Sequence, residues 1–292
     1  MATPREIRRR IKSVKNISQV TRAMEAVSAS KMRRAQNQVL ATRPYAQKAW
    51  EIASFLARQA QSGRAPHSLL EQRPIEKSAL VLITPDKGLT GGLIANMLRA
   101  AQSWRRNQEK PVQLVTVGRK GRDFFNRYGG GIVAEFTKLG DAPPLSRITP
   151  ISKLVVDAFL KHEFDAIYLG YMDFKSVTSQ RPIVRQILPV LPADPAESGA
   201  ASFYPSYIYE PDEETLLEEL MPRLIELQVY QAVLESLASE HSARKVAMRN
   251  ATNNAKDLVG SYTLTLNTVR QAGITRDMLD IIGGVEAMKQ AR

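Results

Sequence analysis

The sequence predicts an α/β protein in which a long antiparallel coiled coil of the N- and C-terminal helices accompanies a central α/β domain. Apolar residues recur every three or four positions near both ends of the chain. Between these ends, short runs rich in branched residues alternate with helix-like segments. Two long apolar stripes each need a partner, so we expect them to pair. The expected parts are 1–61 and 210–292 for the two helices and 75–205 for the central domain.

The N-terminal helix is predicted from Thr3 to about Gln61. Thr3 and Pro4 suit the N-cap and the first turn, and Glu6 lies at the capping-box distance from Thr3. The predicted apolar stripe contains Ile7, Ile11, Val14, Ile17, Val20, Met24, Val27, Met32, Val39 and Leu40.

The C-terminal helix is predicted from the absence of proline between Arg223 and Arg292. A helix of about 70 residues would extend ~105 Å, which is longer than a domain of this size, so we expect it to project. The gaps in its apolar stripe are filled by Ala, Ser and Thr. The stripe contains Leu224, Leu227, Val233, Leu234, Leu237, Val246, Leu258, Leu266, Val269, Leu279, Ile282 and Val285.

The central segment predicts a mainly parallel sheet covered by helices. Strands are expected at 79–83, 112–117 and 166–170, with helices near 93–104, 120–127 and 148–162. The proline-bearing tract 188–205 is expected to be a loop or an edge that leads to the C-terminal helix.

Composition narrows the function classes. The 292 residues carry a formal net charge of +12 and no cysteine, which excludes disulfides, thiolate metal sites and cysteine nucleophiles. No apolar run approaches the ~20 residues that a membrane-spanning helix needs, and no apolar core follows the basic N-terminus as in a secretory signal. Ten basic and two acidic residues lie between Met1 and Arg34. Positive charge of this extent is expected to meet acidic protein, nucleic acid or anionic lipid, or to serve solubility alone.

Glycine-rich turns occur at 83–93 and at 118–121, each after a predicted strand. Such turns can hold phosphate on backbone amides, but neither matches a dinucleotide or P-loop motif. A structural tight turn is therefore favoured over a phosphate site at both places.

Catalytic chemistry has little support in the sequence. His67, His162 and His241 are far apart and lie in no catalytic motif, so they are expected at the surface or its boundary. Asp86, Asp165 and Asp173 would form a ligand site if they met at the carboxyl ends of the strands, although solvated loops are favoured. We expect no active site, metal or cofactor of the chain's own.

Nucleic-acid binding is the alternative function, because clustered Arg and Lys neutralise phosphates. No aromatic residue precedes Tyr45, however, so the stacking partners typical of single-strand binders are absent from the basic segment. A packed helix with a basic outer face is favoured.

Three parts of the chain resemble the gamma subunits of F-type ATP synthases. The N-terminal part reads IRRRIKSVKNISQVTRAMEAVSASKM at 7–32, and the C-terminal part reads YQAVLESLASEHSAR at 230–244, RQAGITR at 270–276 and IIGG at 281–284. The turn 83–93 resembles the central turn of the family. The resemblance covers the whole chain and includes no chloroplast-type regulatory insertion, which implies a bacterial enzyme without thiol control.

This resemblance implies a Rossmann-like central domain without nucleotide and a non-catalytic rotor shaft. The shaft would couple proton- or sodium-driven rotation of a c ring to ATP synthesis or hydrolysis in an alpha3beta3 hexamer. The implied partners are the alpha, beta and epsilon subunits and the c ring. The implied location is the cytoplasmic face of the bacterial cell membrane, reached only through the membrane sector.

The resemblance also assigns partner contacts to individual residues. It implies that Arg244 takes part in coupling. The implied beta-subunit contacts are Arg9, Arg10, Lys12, Met24, Arg33, Arg34, Arg270, Gln271 and Thr275. The implied contacts with the c ring are Tyr207, Tyr209 and Glu210.

Overall fold

Two very long helices begin and end the part of the chain that the structure describes. A computed structural model describes residues 3–61, 68–191 and 213–290. Helix α1 spans Pro4–Gln61 and helix α5 spans Glu213–Gln290, with 58 and 78 residues. The chain divides into two compact units, the first formed by Met1–Val27 with Lys245–Arg292 and the second by Ser28–Arg244. Each long helix contributes residues to both units.

The start of α1 has the predicted capping box. The Thr3 Oγ1 atom accepts a hydrogen bond from the Glu6 backbone N–H at 3.3 Å, and the Thr3 N–H donates to Glu6 Oε2 at 2.9 Å. Two donors that the helix itself leaves without partners are thereby satisfied, which fixes where α1 begins.

The second unit contains a five-stranded sheet in the order β3-β2-β1-β4-β5. The strands are β1 (Ser78–Ile83), β2 (Val112–Val117), β3 (Ile132–Phe136), β4 (Ala166–Phe174) and β5 (Gln180–Leu188). The first four are parallel and β5 is antiparallel to β4. The shorter helices are α2 (Leu93–Arg106), α3 (Arg119–Tyr128) and α4 (Leu145–Leu160), and a 3-10 turn covers Ser68–Leu70.

Both faces of the sheet are covered, as the continuous apolar run of β1 predicts. Every residue of β1 is buried. Its Ala79, Val81 and Ile83 face a core shared with α1, α4 and α5, whereas Leu80 and Leu82 face a second core with α2 and α3. Burying each leucine of such a core stabilises the fold by about 1.5–3 kcal/mol.

The predicted parallel βαβ series is confirmed, but two strands were missed. Strand β3 has only five residues and lies at one edge of the sheet. Strand β5 contains Pro182, which is compatible with a strand because β5 lies at the other edge. Helix α5 also begins ten residues before Arg223 and includes Pro222. Most of the tract 188–205 lies outside the described residues.

The buried stripe of α1 differs from the predicted one. Its buried and half-buried positions include 7, 11, 14, 18, 21, 25, 28, 32, 35 and 39, which alternate steps of four and three. The predicted core residues Ile17, Val20, Val27 and Leu40 are instead more than half exposed. A two-helix seam repeats every 3.5 residues and is narrower than the stripe of a globular helix, so apolar residues just beside it stay in solvent.

In the first unit, α1 and α5 pack on each other through a polar pair. The hydroxyls of Thr21 and Thr252 lie 2.8 Å apart, and both residues are buried. In an antiparallel register, the stretch from Thr21 back to Pro4 corresponds to 252–269 of α5. The residues of α5 after 269 therefore extend beyond the start of α1, and all those with a described side chain are exposed. Val246, Leu258, Leu279, Ile282 and Val285 are all exposed, so the prediction that they form a buried stripe is wrong for these residues.

Candidate functional site

The first surface is the basic face at the start of α1. Arg9, Arg10 and Lys12 are exposed and, together with Ser13 and Asn16, line a shallow groove. Within 3–61, 68–191 and 213–290, none of the three cations forms an ion pair. Their hydrated charges are available to an acidic partner.

Further along α1, Met24 is half-buried, whereas Arg33 and Arg34 are exposed. Met24 belongs to the first unit and the two arginines to the second. Neither arginine is paired with an acid in the described part of the chain. The structure thus leaves both free cations on the outside of α1, as a contact with an acidic partner requires.

The second surface is the end of α5. Arg270, Gln271 and Thr275 are exposed, so all three polar groups face solvent. A set of large apolar side chains in the same segment is at least half exposed: Ile274, Met278, Leu279, Ile281, Ile282 and Val285. Apolar exposure of this extent is typical of an interaction surface.

Arg244 is not a surface residue, since only 9% of it is exposed. Its guanidinium forms an ion pair with Glu240 one turn earlier. It also donates to the backbone carbonyl of Gly88 at 3.2 Å and, more weakly, to that of Lys87 at 3.4 Å. Arg244 therefore fastens the turn 83–93 to α5 within the second unit.

A group of titratable side chains surrounds the Arg244 guanidinium. Burial raises the pKa of Glu240, although the charge of Arg244 opposes this change. Burial also acts to raise the pKa of Asp141, but the hydrogen bond and charge of Lys31, 2.7 Å away, outweigh it and the pKa is lowered. His241 is 1% exposed, so the expectation of a surface histidine is wrong. His162 is exposed and His67 lies outside the described residues.

His241 predicts a pH dependence of stability. Burial lowers the pKa of His241 to about 4, and Arg244 adds to this while Asp141 opposes it. As the pH falls below the ordinary pKa of histidine, the unfolded chain is protonated before the folded chain. The free energy of unfolding therefore decreases. Between pH 7 and pH 5 we expect this residue to account for a loss of about 2 kcal/mol.

Urea unfolding of the wild type and His241→Gln at both pH values measures this effect. In His241→Gln, the free energy of unfolding should fall less between pH 7 and pH 5, because the contribution of His241 is removed. The raised pKa of Glu240 changes stability in the opposite sense, but it acts in both proteins and cancels in the difference. Equal losses in the two proteins would show that His241 titrates normally.

Asp86 lies where an α/β protein would hold a phosphate. Its carboxylate accepts hydrogen bonds from the backbone N–H groups of Arg119, at the start of α3, and Lys138, at 2.9 and 3.0 Å. The protein's own carboxylate thus uses amides that a phosphate would need. This agrees with the structural interpretation of the turns at 83–93 and 118–121.

The other two aspartates do not join Asp86. Asp165 precedes β4 and accepts hydrogen bonds from the N–H groups of Glu76 and Lys77. Asp173 lies near the end of β4 and pairs with Lys175. The idea that the three carboxylates gather is therefore wrong, because Asp165 stands at the amino end of the sheet.

A cavity of about 260 Å³ opens beside Asp86 at the carboxyl edge of the sheet. Its lining includes Glu240 and Asp141, whose carboxylates bind Arg244 and Lys31. These two acids are thus already paired within the protein, so neither carboxylate is free to bind a ligand.

Three predicted contact residues are not described by the structure, and one residue of the Arg244 site was not predicted. Tyr207, Tyr209 and Glu210 lie outside the described residues. Glu240, by contrast, was missed, although Glu and Arg four residues apart on a helix are a recognisable pair.

Comparisons with known proteins agree with this architecture. A profile of the ATP synthase family matches residues 3–288. The ATP synthase gamma chain of Dehalococcoides mccartyi strain CBDB1 is 48% identical over 290 residues, covering 99% of this chain and 100% of the relative. That of Chloroflexus aurantiacus strain J-10-fl is 49% identical over 292 residues, covering 99% of both chains.

Solved structures show the same fold at low identity. A chain in the Euglena gracilis mitochondrial ATP synthase (OSCP/F1/c-ring, rotational state 3) has a TM-score of 0.69 at 20% identity, covering 98% of this chain and 94% of the other. A chain of the Tetrahymena thermophila mitochondrial ATP synthase central stalk and c ring has a TM-score of 0.61 at 24% identity, covering 80% and 99%. Full-length identity near one half, together with the profile match, shows that the chain belongs to the family of ATP synthase gamma chains.

Proposed function

We propose that this gamma chain is the central rotor shaft of an F-type ATP synthase. It couples ion-driven rotation of a c ring to ATP synthesis or hydrolysis in an alpha3beta3 hexamer. The observation that carries the proposal is the pair of long helices whose exposed faces hold unpaired cations at one place and large apolar side chains at another. Such faces are suited to partners around the helices.

A shaft of this kind works by differential contact. Because its circumference is chemically uneven, each angular position favours different conformations of the three beta subunits. Only a difference in contact free energy between those conformations can drive release of ATP. The exposed cations on one face of α1 provide this unevenness.

The resemblance to the family assigns the beta-subunit contacts, and the charge or exposure of these residues supports the assignment. Arg9, Arg10, Lys12, Arg33 and Arg34 meet an acidic lever of the beta subunit, with Met24 beside it. Arg270, Gln271 and Thr275 hydrogen-bond to a loop of beta near the end of α5. The exposed apolar side chains of that segment turn against an apolar sleeve, where weak directionality permits rotation.

The remaining partners are the c ring and an epsilon subunit. Tyr207, Tyr209 and Glu210 contact the c ring. No helix in the described residues is long and apolar enough to cross a membrane. We propose that the chain reaches the cytoplasmic face of the cell membrane, and takes part in ion transport, through the membrane sector.

Co-expression with alpha and beta subunits tests the proposal. We expect the tagged chain to purify with both subunits in one complex and to confer rotation on it. Retention of DNA in place of these subunits, with an affinity that falls as salt rises, would support the nucleic-acid alternative instead.

Met24→Lys tests the proposed lever contact. The new cation beside an acidic lever would hold one angular position too tightly, so we expect fewer protons pumped per ATP hydrolysed while hydrolysis continues. Membrane vesicles carrying the complex allow both rates to be measured. Met24→Leu keeps the side-chain volume and should couple normally. Full proton pumping by Met24→Lys would contradict the assignment.

A further inference from the structure

Strand β4 extends beyond its neighbour β1. The parallel pairing of these strands ends at Leu82 opposite Gly170, whereas β4 continues to Phe174. We call Tyr171–Phe174 the β4 overhang. Alternate residues of a strand direct their backbone groups to opposite neighbours. On the side where β1 has ended, Met172 and Phe174 therefore have backbone groups without a strand to receive them.

Side chains of both long helices take the place of the missing strand. The Met172 N–H donates to Ser236 Oγ, and the Ser239 hydroxyl donates to the Met172 carbonyl, both at 3.2 Å. From α1, Arg43 donates to the Phe174 carbonyl at 3.1 Å. The helices are thus hydrogen-bonded to the sheet backbone in addition to packing on it.

A third serine extends the row. Ser242 donates to the carbonyl of Val177, just after β4, at 2.7 Å. The three serines are spaced by three residues on one side of α5, and Ser239 and Ser242 are fully buried. Arg43 also pairs with Glu235 of α5 at 3.0 Å, which ties the two helices to each other at the same place.

These bonds differ from the surrounding apolar contacts in one physical respect. Apolar packing is non-directional and tolerates small rotations of a helix about its axis. A hydrogen bond weakens steeply when its angle changes, so a row of them resists such rotation. A shaft needs this resistance where a helix leaves the domain that drives it.

We propose that Ser236, Ser239 and Ser242, with Arg43, are positioning residues that hold α5 and α1 on the β4 overhang and on Val177 just after it, and so transmit torque. The proposal rests on the rotor function. The central domain holds the two helices through these residues. This is a role that the small size and burial of the serines alone would not indicate.

The test uses the complete rotary complex with the triple variant Ser236→Ala, Ser239→Ala and Ser242→Ala. The hexamer is fixed to a surface and a probe is attached to the central domain. During an ATP-waiting pause, the angular spread of the probe reports the torsional stiffness of the chain. We expect a wider spread and a lower stall torque in the variant, with unloaded ATP hydrolysis unchanged.

Ser54→Ala is the matched control. Ser54 is also a buried serine of a long helix, but its hydroxyl has no hydrogen-bond partner among the described residues. Its loss should leave both the spread and the torque as in the wild type. A triple variant with wild-type spread and torque would overturn the proposal, whereas failure of the wild-type complex to rotate would overturn the rotor function.

Hydrogen exchange locates the effect. In full-length Ser236→Ala, the Met172 N–H loses its acceptor, so we expect its exchange to accelerate by roughly tenfold. The same amide in Ser54→Ala should exchange at the wild-type rate. An unchanged Met172 rate in Ser236→Ala would show that the helix is not bonded to the overhang, and would also overturn the proposal.

Discussion

Arg244→Leu is expected to lower the free energy of unfolding of the full chain by about 3–5 kcal/mol. The substitution leaves Glu240 buried without its counter-ion and frees the carbonyl of Gly88. Burial already raises the pKa of Glu240, so this carboxyl would take up a proton in the variant and limit the loss. Urea unfolding at about pH 7 measures the change.

The double variant Glu240→Leu/Arg244→Leu is the control. It removes both charges together, and apolar replacement of a buried pair is often neutral in stability. If Arg244 serves coupling only by holding the turn 83–93, the double variant should recover stability but not coupling. A loss below about 1 kcal/mol in Arg244→Leu would mean that the pair is effectively solvated.

Gly118→Ala is expected to have the largest effect on folding. Gly118 has φ +96°, and a Cβ atom there would lie 1.8 Å from the backbone oxygen of Thr84. Both partners are backbone, so no side chain can move aside. The Thr84 N–H also donates to the Val117 carbonyl and the Gly118 N–H to the Phe136 carbonyl, which holds the loop after β1 to the end of β2 and the loop after β2 to the end of β3. We expect a loss of more than about 4 kcal/mol, seen as little soluble protein.

Gly129→Ala separates the clash from backbone strain. Gly129 has φ +74°, but an added Cβ would meet nothing within 4 Å. This variant should lose only about 1 kcal/mol and fold normally. Similar stability of the two variants would show that the turn after β2 can rearrange.

How much of the fold the sequence predicts depends on the strength of each local pattern. The start of α1 was predicted to the residue because the capping box is a local signal. The middle of the same helix was not, because its seam includes Thr21 and Ser28, which are buried although polar. A 3.6-residue stripe selects Ile17 and Val20 instead, and only the position of α5 decides between the two sets.

The residues that were missed at the sites lack a local sequence pattern. That Arg9 and Arg10 are exposed can be predicted from the sequence, since charge and position on the helix suffice. Ser236, Ser239 and Ser242 look like gaps in an apolar stripe, because the backbone groups that they bond belong to β4 and to Val177, more than 60 residues away. Long-range backbone contacts of this kind have no local signature.

Direct observation of rotation tests the central claim. The chain has no cysteine, so Glu109→Cys, in the exposed segment between α2 and β2, gives a single attachment point for a probe. With the alpha3beta3 hexamer immobilised and ATP supplied, the account predicts rotation in one direction with three pauses per turn. Steady ATP hydrolysis by a complex in which this chain stays at a fixed angle would contradict it.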